Sequence, residues 1–258
     1  MWRNRGMLSI GREGARAGLR GAGPSETPRG MQPINPQAAI RVVHQGHERQ
    51  PVVVIDDVLA DPGRWRAAAA RGRYGRIGPY YPGVRSHVAR DEAEAIRDGL
   101  AGVIGEAFAL DRVPPMLECF FSIVTTPPEA LVPIQRLPHV DGLEPDRLAI
   151  LIYLSGAEQG GTGFYRQRAT GFETVDAARY PAFEAALKAG VAEHGVPPAA
   201  YIAGDTPLYE QIAEYDARPN RALIYRSHAL HCAAIPAGAA LPADVGRGRL
   251  SVNGFLLG

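Results

Sequence analysis

Beyond Pro114-Pro115 the chain changes texture, and that change narrows the folds open to it. Residues 117–125, 134–140, 148–154, 163–166, 172–175, 222–226, 230–235 and 250–257 are short runs, apolar or alternating. Gly, Pro, Asp and Asn separate them. Runs of this length, ended by turn formers, predict β-strands. The front of the chain reads differently. Order is expected to begin near Ile40, and residues 51–55 predict one short buried strand. Asp61 is placed to cap a helix with Pro62 in its first turn, continuing through Trp65 and the alanines 67–70. Residues 72–83 read as a loop rich in Gly, Tyr and Arg. Asp91 opens a longer helix, on which Ile96, Leu100, Val103, Ile104 and Phe108 follow the helical period.

Two more helices are expected within the β-rich part. One covers residues 181–194, with Phe183, Leu187 and Val191 on one face, and the other covers 207–215, capped by Thr206. Many short strands with helices gathered at the front predict a mainly β, jelly-roll or cupin-like barrel with flanking α-helices. The domain reading is a disordered leader over 1–35, then one domain over 36–258. That domain has a helical part at 56–112, a jelly-roll core at 117–257 and a helical insertion at 167–218. The leader is rich in arginine and lacks both periodicity and an apolar core segment, so it reads neither as folded nor as a secretory signal.

Composition excludes several partners. A net charge of +1 supplies no field to attract nucleic acid. The longest aliphatic run, Leu148 to Leu154, is too short to cross a bilayer, so no membrane partner and a cytoplasmic location are expected. The sequence fixes no oligomeric state. Lys188 is the one lysine among 28 basic residues, so a lone arginine is no signal here. Cys119 and Cys232 sit in apolar runs and are expected to be buried, reduced thiols; no Cys-x-x-Cys spacing suggests zinc.

Chemistry is suggested by an order of residues. His139-Val140-Asp141 ends a predicted strand, Gly160-Gly161-Thr162 follows, His231 begins another strand, and Arg249-Leu250-Ser251 lies near the end. Alternate strand positions share a face, so His139 and Asp141 can each offer a ligand to one metal. With seven His and 27 acidic residues, roughly 0.7 His-x-acid matches arise by chance, so the order must carry the argument rather than the triplet. Two imidazoles and one carboxylate hold Fe(II) by one face and leave the other open. His231 is preferred over His228 as the distal ligand because the apolar run after it, Cys232 to Ile235, fixes its orientation. His228 reads as a rim residue. Arg249 and Ser251 point the same way and can grip one carboxylate together, whereas Arg247 reads as a solvated strand end. Tyr80, Tyr81 and Arg85 are candidates for a substrate entrance.

The run from Leu148 to Ser155, the following Gly160 to Tyr165, the segment Pro219 to Tyr225, His231 and Gly248-Arg249 together resemble prolyl 4-hydroxylase-like 2-oxoglutarate- and Fe(II)-dependent oxygenases. The resemblance covers about residues 117–257 and keeps the family order. It departs in a long gap from His231 to Arg249 and in the large 167–218 insertion. It implies a double-stranded β-helix, with Fe(II) held by His139, Asp141 and His231, and 2-oxoglutarate held by Arg249 with Ser251. The activity implied is that of a dioxygenase that uses O2 to hydroxylate a C–H bond of a small molecule or peptide side chain. Two other readings stay open: an inactive jelly-roll binding or scaffold protein, and a cupin-type metalloenzyme that does not use 2-oxoglutarate.

Overall fold

The computed structural model describes residues 33–258. Residues 1–32, which carry nearly all of the expected leader, lie outside them. Regular pairing starts earlier than Ile40: Ile34 bridges Leu59, and the Asn35 side chain donates to the carbonyl of Asp57 at 3.0 Å.

The chain runs β1 (Ala39–Gln45), β2 (Gln50–Asp56), α1 (Pro62–Ala70), β3 (Gly83–His87), α2 (Arg90–Phe108), β4 (Met116–Val124), β5 (Leu148–Tyr153) and β6 (Gly161–Gln167). It then continues through α3 (Tyr180–His194), β7 (Tyr209–Asp216), β8 (Ala222–Arg226), β9 (His231–Ala234) and β10 (Arg249–Leu256). The strands form two antiparallel sheets. One has seven strands in the order β1-β2-β8-β5-β10-β4-β3; the other has three, β7-β6-β9.

The larger sheet is covered on both faces, and its sequence reflects this. All six residues of β5 are buried, as a continuous apolar run requires. On its helical side Ile150, Ile152, Val252 and Ile123 pack against Trp65 of α1 and Ile96, Leu100, Ile104 and Phe108 of α2. Each such aliphatic or aromatic side chain contributes about 1.5–3 kcal/mol on burial. α1 starts as expected: the Asp61 carboxylate accepts from Arg64 N at 2.9 Å, and Pro62 sits in the first turn. α2 has no capping side chain at Ala89. Asp91 and Glu92 instead lie in its first turn, where negative charge favours the helix start. On the opposite side, Leu151, Tyr153, Leu223 and Tyr225 of the large sheet meet Phe164 of the small one. The two sheets thus pack face to face.

Gly160 and Gly161 explain how β6 can begin. A Cβ on Gly160 would stand 2.1 Å from the Ala234 carbonyl oxygen, and one on Gly161 2.1 Å from that of Tyr215. The strand enters between β9 and β7 with no room for side chains, and Gly160 adds a φ of +83°.

Several expectations need correction. The expected helix 207–215 is not formed: strand β7 (Tyr209–Asp216) takes its place. Thr206 Oγ1 does accept from Tyr209 N at 3.0 Å, the local bond of a cap, but the residues that follow pair with β6 instead of coiling. The expected strand 134–140 is a 3-10 turn, Pro133–Arg136, followed by a single bridge at His139. The expected strand 172–175 is a single bridge between Thr174 and Ala229. Part of the 72–83 loop joins strand structure: Gly75 bridges Arg85, and β3 starts at Gly83. Among the described residues no helix is long and apolar enough to cross a membrane.

Candidate metal centre

Backbone pairing brings the site together. His139 N donates to the His231 carbonyl at 2.9 Å, and His231 N donates back to that of His139 at 3.0 Å. Two residues on, Asp141 N donates to the Ser227 carbonyl at 2.8 Å, tying the next extended residues to the turn before β9. Alternation then puts His139 and Asp141 on one side, facing His231. Their ligand atoms all lie within 4.8 Å of one another. Asp141 Oδ2 is 3.2 Å from His231 Nε2, and Asp141 Oδ1 is 3.6 Å from His139 Nε2. This is the only group of three or more such ligands among the described residues.

The surroundings suit a cation. His231 Nδ1 lies 2.9 Å from the Ala229 carbonyl. A carbonyl only accepts, so Nδ1 carries a proton, which leaves Nε2 as the nitrogen that would offer its lone pair to a metal ion. The ring is held edge-on by Tyr225, with centroids 4.8 Å apart. Burial works against the charge on Asp141, but the imidazoles of His231 and His139 outweigh it and hold the carboxyl well below its usual range. Burial likewise opposes charge on His231, and Asp141 overcomes it, leaving that pKa raised. His139 is half exposed while His231 is buried, so the cluster is open on the His139 side. His228 stands apart, its Nδ1 3.5 Å from the Glu144 carbonyl, with burial pulling its pKa down.

Arg249 is 4% exposed and lies on the inner face of β10. It donates from Nη2 to the Gly161 carbonyl at 2.8 Å, while its buried Nε has no partner. A buried guanidinium with a free donor and no carboxylate beside it fits an anionic ligand. Ser251 shares that face, and its hydroxyl donates to Asn253 Oδ1 at 2.8 Å. The hydroxyl of Ser122, opposite Ser251 in register on β4, is fully buried and has no hydrogen-bond partner.

Other cavity residues carry no motif. Tyr153 Oη and Thr162 Oγ1 meet at 2.6 Å across the two sheets. The Tyr225 phenol is pushed well up, first by burial and then by Asp141, Tyr153 and opposing Arg249, which sets its hydroxyl among these groups. Alternation on β8 was the signal that could have found Tyr225. Arg85 lies on strand β3 rather than in a loop; Tyr80 is exposed and Tyr81 carries a buried, unpartnered hydroxyl. Cys119 and Cys232 are free and buried, each thiol pushed up to about 12 by burial.

Fold and site together define a mainly β protein with a His-Asp-His cluster between two antiparallel sheets. The chain belongs to a family of unknown function, DUF6445, whose sequence profile matches residues 36–256. No curated protein matches the sequence. Among solved structures it is similar to HygX from Streptomyces hygroscopicus with nickel and 2-oxoglutarate bound (13% identity, 81% of this chain and 84% of that one, TM-score 0.48). It is also similar to the non-heme alpha ketoglutarate dependent epimerase SnoN from nogalamycin biosynthesis (13%, 82% and 79%, TM-score 0.47). A third is an N-substituted L-amino acid dioxygenase from Burkholderia ambifaria AMMD (15%, 80% and 82%, TM-score 0.39). At TM-scores below 0.5 the chemistry has to be argued from the residues.

Proposed function

We propose that this chain is a prolyl 4-hydroxylase-like oxygenase dependent on Fe(II) and 2-oxoglutarate, built on a double-stranded β-helix. In this reading it hydroxylates a C–H bond of a small molecule or peptide side chain. The observation that carries the reading is the convergence of three ligand atoms within 4.8 Å beside a buried, incompletely paired Arg249. His139, Asp141 and His231 are the residues that would hold the metal, and Arg249 the one that would hold the far carboxylate of 2-oxoglutarate. Bound together, Fe(II) and 2-oxoglutarate supply the activation of O2 that hydroxylation needs.

The protein's own part is positioning and exclusion of water. The Ala229 carbonyl fixes the His231 tautomer, and the reciprocal backbone pair fixes the spacing of the two imidazoles. Tyr153, Thr162 and Tyr225 are buried between the sheets, where a bound anion would face few competing waters. Donors without acceptors around Arg249 favour a carboxylate cosubstrate over a metal-only cupin reaction. The test is anaerobic addition of Fe(II) and 2-oxoglutarate to the full chain. A weak visible charge-transfer band that requires both is expected; its absence with folded protein at millimolar cosubstrate overturns the reading.

A further inference from the structure

The inner face of the large sheet carries a second, half-buried guanidinium, that of Arg85, which neither the metal cluster nor Arg249 accounts for. Arg85 sits on β3, where its backbone is locked by paired bonds to Gly75, N to O at 2.8 Å and O to N at 3.0 Å. Its guanidinium stacks on Tyr81, with Cζ 4.0 Å from the ring centroid, and lies 5.2 Å from that of Phe120. Its Nε is buried, and its side chain makes no hydrogen bond and no ion pair with any described residue.

Most other part-buried arginines among the described residues are bonded; Arg147 also leaves its Nε without a partner, but it has Glu144 3.9 Å away. Arg221 is bonded by Asp56 at 2.5 and 3.0 Å, Arg166 by Glu173 and Glu210, and Arg136 and Arg226 by backbone carbonyls. Burial pulls the pKa of Arg85 down; Tyr81, Asp141 and Glu118 oppose this through space, and neither carboxylate closes to a pair. The groups beside it are donors too. Ser122 lies directly opposite Arg85 in register, and the hydroxyls of Ser122 and Tyr81 are both buried without partners. One guanidinium and two neighbouring hydroxyls that can each donate, with no carboxylate paired to them, match a single planar negative charge. A phosphate dianion would leave one charge uncompensated. His139 is half exposed, so the cluster can be reached from that side.

We propose that Arg85, with Tyr81 and Ser122, binds a carboxylate of the primary substrate, so that the substrate class is a small carboxylic acid. This rests on the oxygenase reading for its purpose, though not for its chemistry. Two carboxylates are then held in one cavity: that of the cosubstrate by Arg249, and that of the substrate by Arg85 near Asp141.

The experiment compares the full-length parent with Arg85→Met and Arg85→Gln. The probes are propionate, isovalerate, benzoate and 3-phenylpropionate, each against its neutral amide. Binding is read by melting-temperature shift in metal-free protein, and again by perturbation of the visible band in the anaerobic Fe(II)·2-oxoglutarate complex. At least one acid should bind the parent tenfold or more tighter than its amide, and both variants should lose that preference. Metal-free Arg85→Met should melt no lower than the parent, because it removes a half-buried cation without a partner and keeps the aromatic contacts. Its 2-oxoglutarate affinity should stay within twofold. A fall of more than about 3 °C in both variants would make Arg85 structural and overturn the proposal. A tenfold loss of 2-oxoglutarate affinity would assign Arg85 to the cosubstrate and also overturn it, as would the lack of any acid-over-amide preference. If the parent shows no Fe(II)·2-oxoglutarate band, the oxygenase reading falls, yet the metal-free measurements still decide whether Arg85 binds carboxylates.

Discussion

His139 and His231 exchange both backbone hydrogen bonds, at 2.9 and 3.0 Å, and their rings stand 4.5 Å apart between centroids. A residue pair bonded in this way cannot slip without breaking two bonds, so the spacing of the imidazoles is a backbone property.

Metal binding is therefore expected to depend on His139, Asp141 and His231, and not on His228. Alanine at any of the three removes one of three ligands, and Fe(II) affinity should fall at least on the order of tenfold to a hundredfold. His228→Ala should bind Fe(II) like the parent, since His228 faces the Glu144 carbonyl and lies outside the cluster. Anaerobic titration followed by calorimetry makes the comparison. The assignment fails if His228→Ala loses the metal and His231→Ala keeps it.

Arg249 and Arg247 should separate cleanly. Arg249 is buried with a free Nε, whereas Arg247 is exposed beside Asp244. Arg249→Gln should leave Fe(II) binding intact and weaken 2-oxoglutarate by about 3–5 kcal/mol, the usual cost of breaking a buried charged pair. Arg247→Ala should change it little. Ser251→Ala should cost less than Ser122→Ala, because the Ser251 hydroxyl is already bonded to Asn253. Titration of the visible band measures all four, and equal losses from Arg249 and Arg247 would count against the site.

Much of this arrangement is legible in the sequence, for identifiable reasons. β5 and β8 can be read because burial on both faces leaves a continuous apolar run. β1 cannot: it is an edge strand with mostly exposed side chains, so no alternation marks it. The segment after Thr206 misleads because its first hydrogen bond is the same in a capped helix and in this turn, and only pairing with β6 decides between them. His139, Asp141, His231 and Arg249 stand out by their order along the chain. Ser122, Tyr225 and the unpaired state of Arg85 do not, because strand register and the absence of a partner are properties of the assembled sheets.

Glu173 predicts an acid-dependent contribution to stability. Its carboxylate is buried and accepts from His47 N at 2.9 Å, Glu48 N at 3.0 Å and Arg166 Nε at 2.8 Å, tying the β1–β2 turn to the segment after β6. Burial raises its pKa, but these donors win and hold it below the ordinary 4.5. A depressed carboxyl stabilises the fold fully above its unfolded value, and the contribution is lost as pH falls through the folded one. Glu173→Gln should lower stability at pH 7 by on the order of 2 kcal/mol. The gap from the parent should begin to close below about pH 4.5. Urea unfolding from pH 7 to pH 3 measures it; a gap that does not change with pH would remove the charge from the account.

The 167–218 insertion should divide into a structural part and a part that acts on the cavity. Tyr209 is fully buried against Tyr165, Val175 and Phe183, on the far side of the small sheet from the metal ligands. Tyr209 is therefore a core residue. Tyr209→Ala should cost about 3–5 kcal/mol, as large aromatic truncations do, and leave 2-oxoglutarate binding unchanged at temperatures where the protein stays folded. Tyr201 differs. Its hydroxyl donates to the Thr126 carbonyl at 2.7 Å, its ring packs with Val124, Leu131 and Ile235, and burial pushes its phenol pKa up, with Tyr81 adding to this and Arg249 opposing it through space. Its phenol thus lies near Arg249. Tyr201→Ala should admit water there, raise the local dielectric and weaken 2-oxoglutarate roughly tenfold, since a charged pair loses strength as water enters. Tyr201→Phe keeps the ring and should restore most of that affinity. Thermal melts and band titrations of the three variants test the division. It fails if Tyr209→Ala, while folded, loses the cosubstrate and Tyr201→Ala does not.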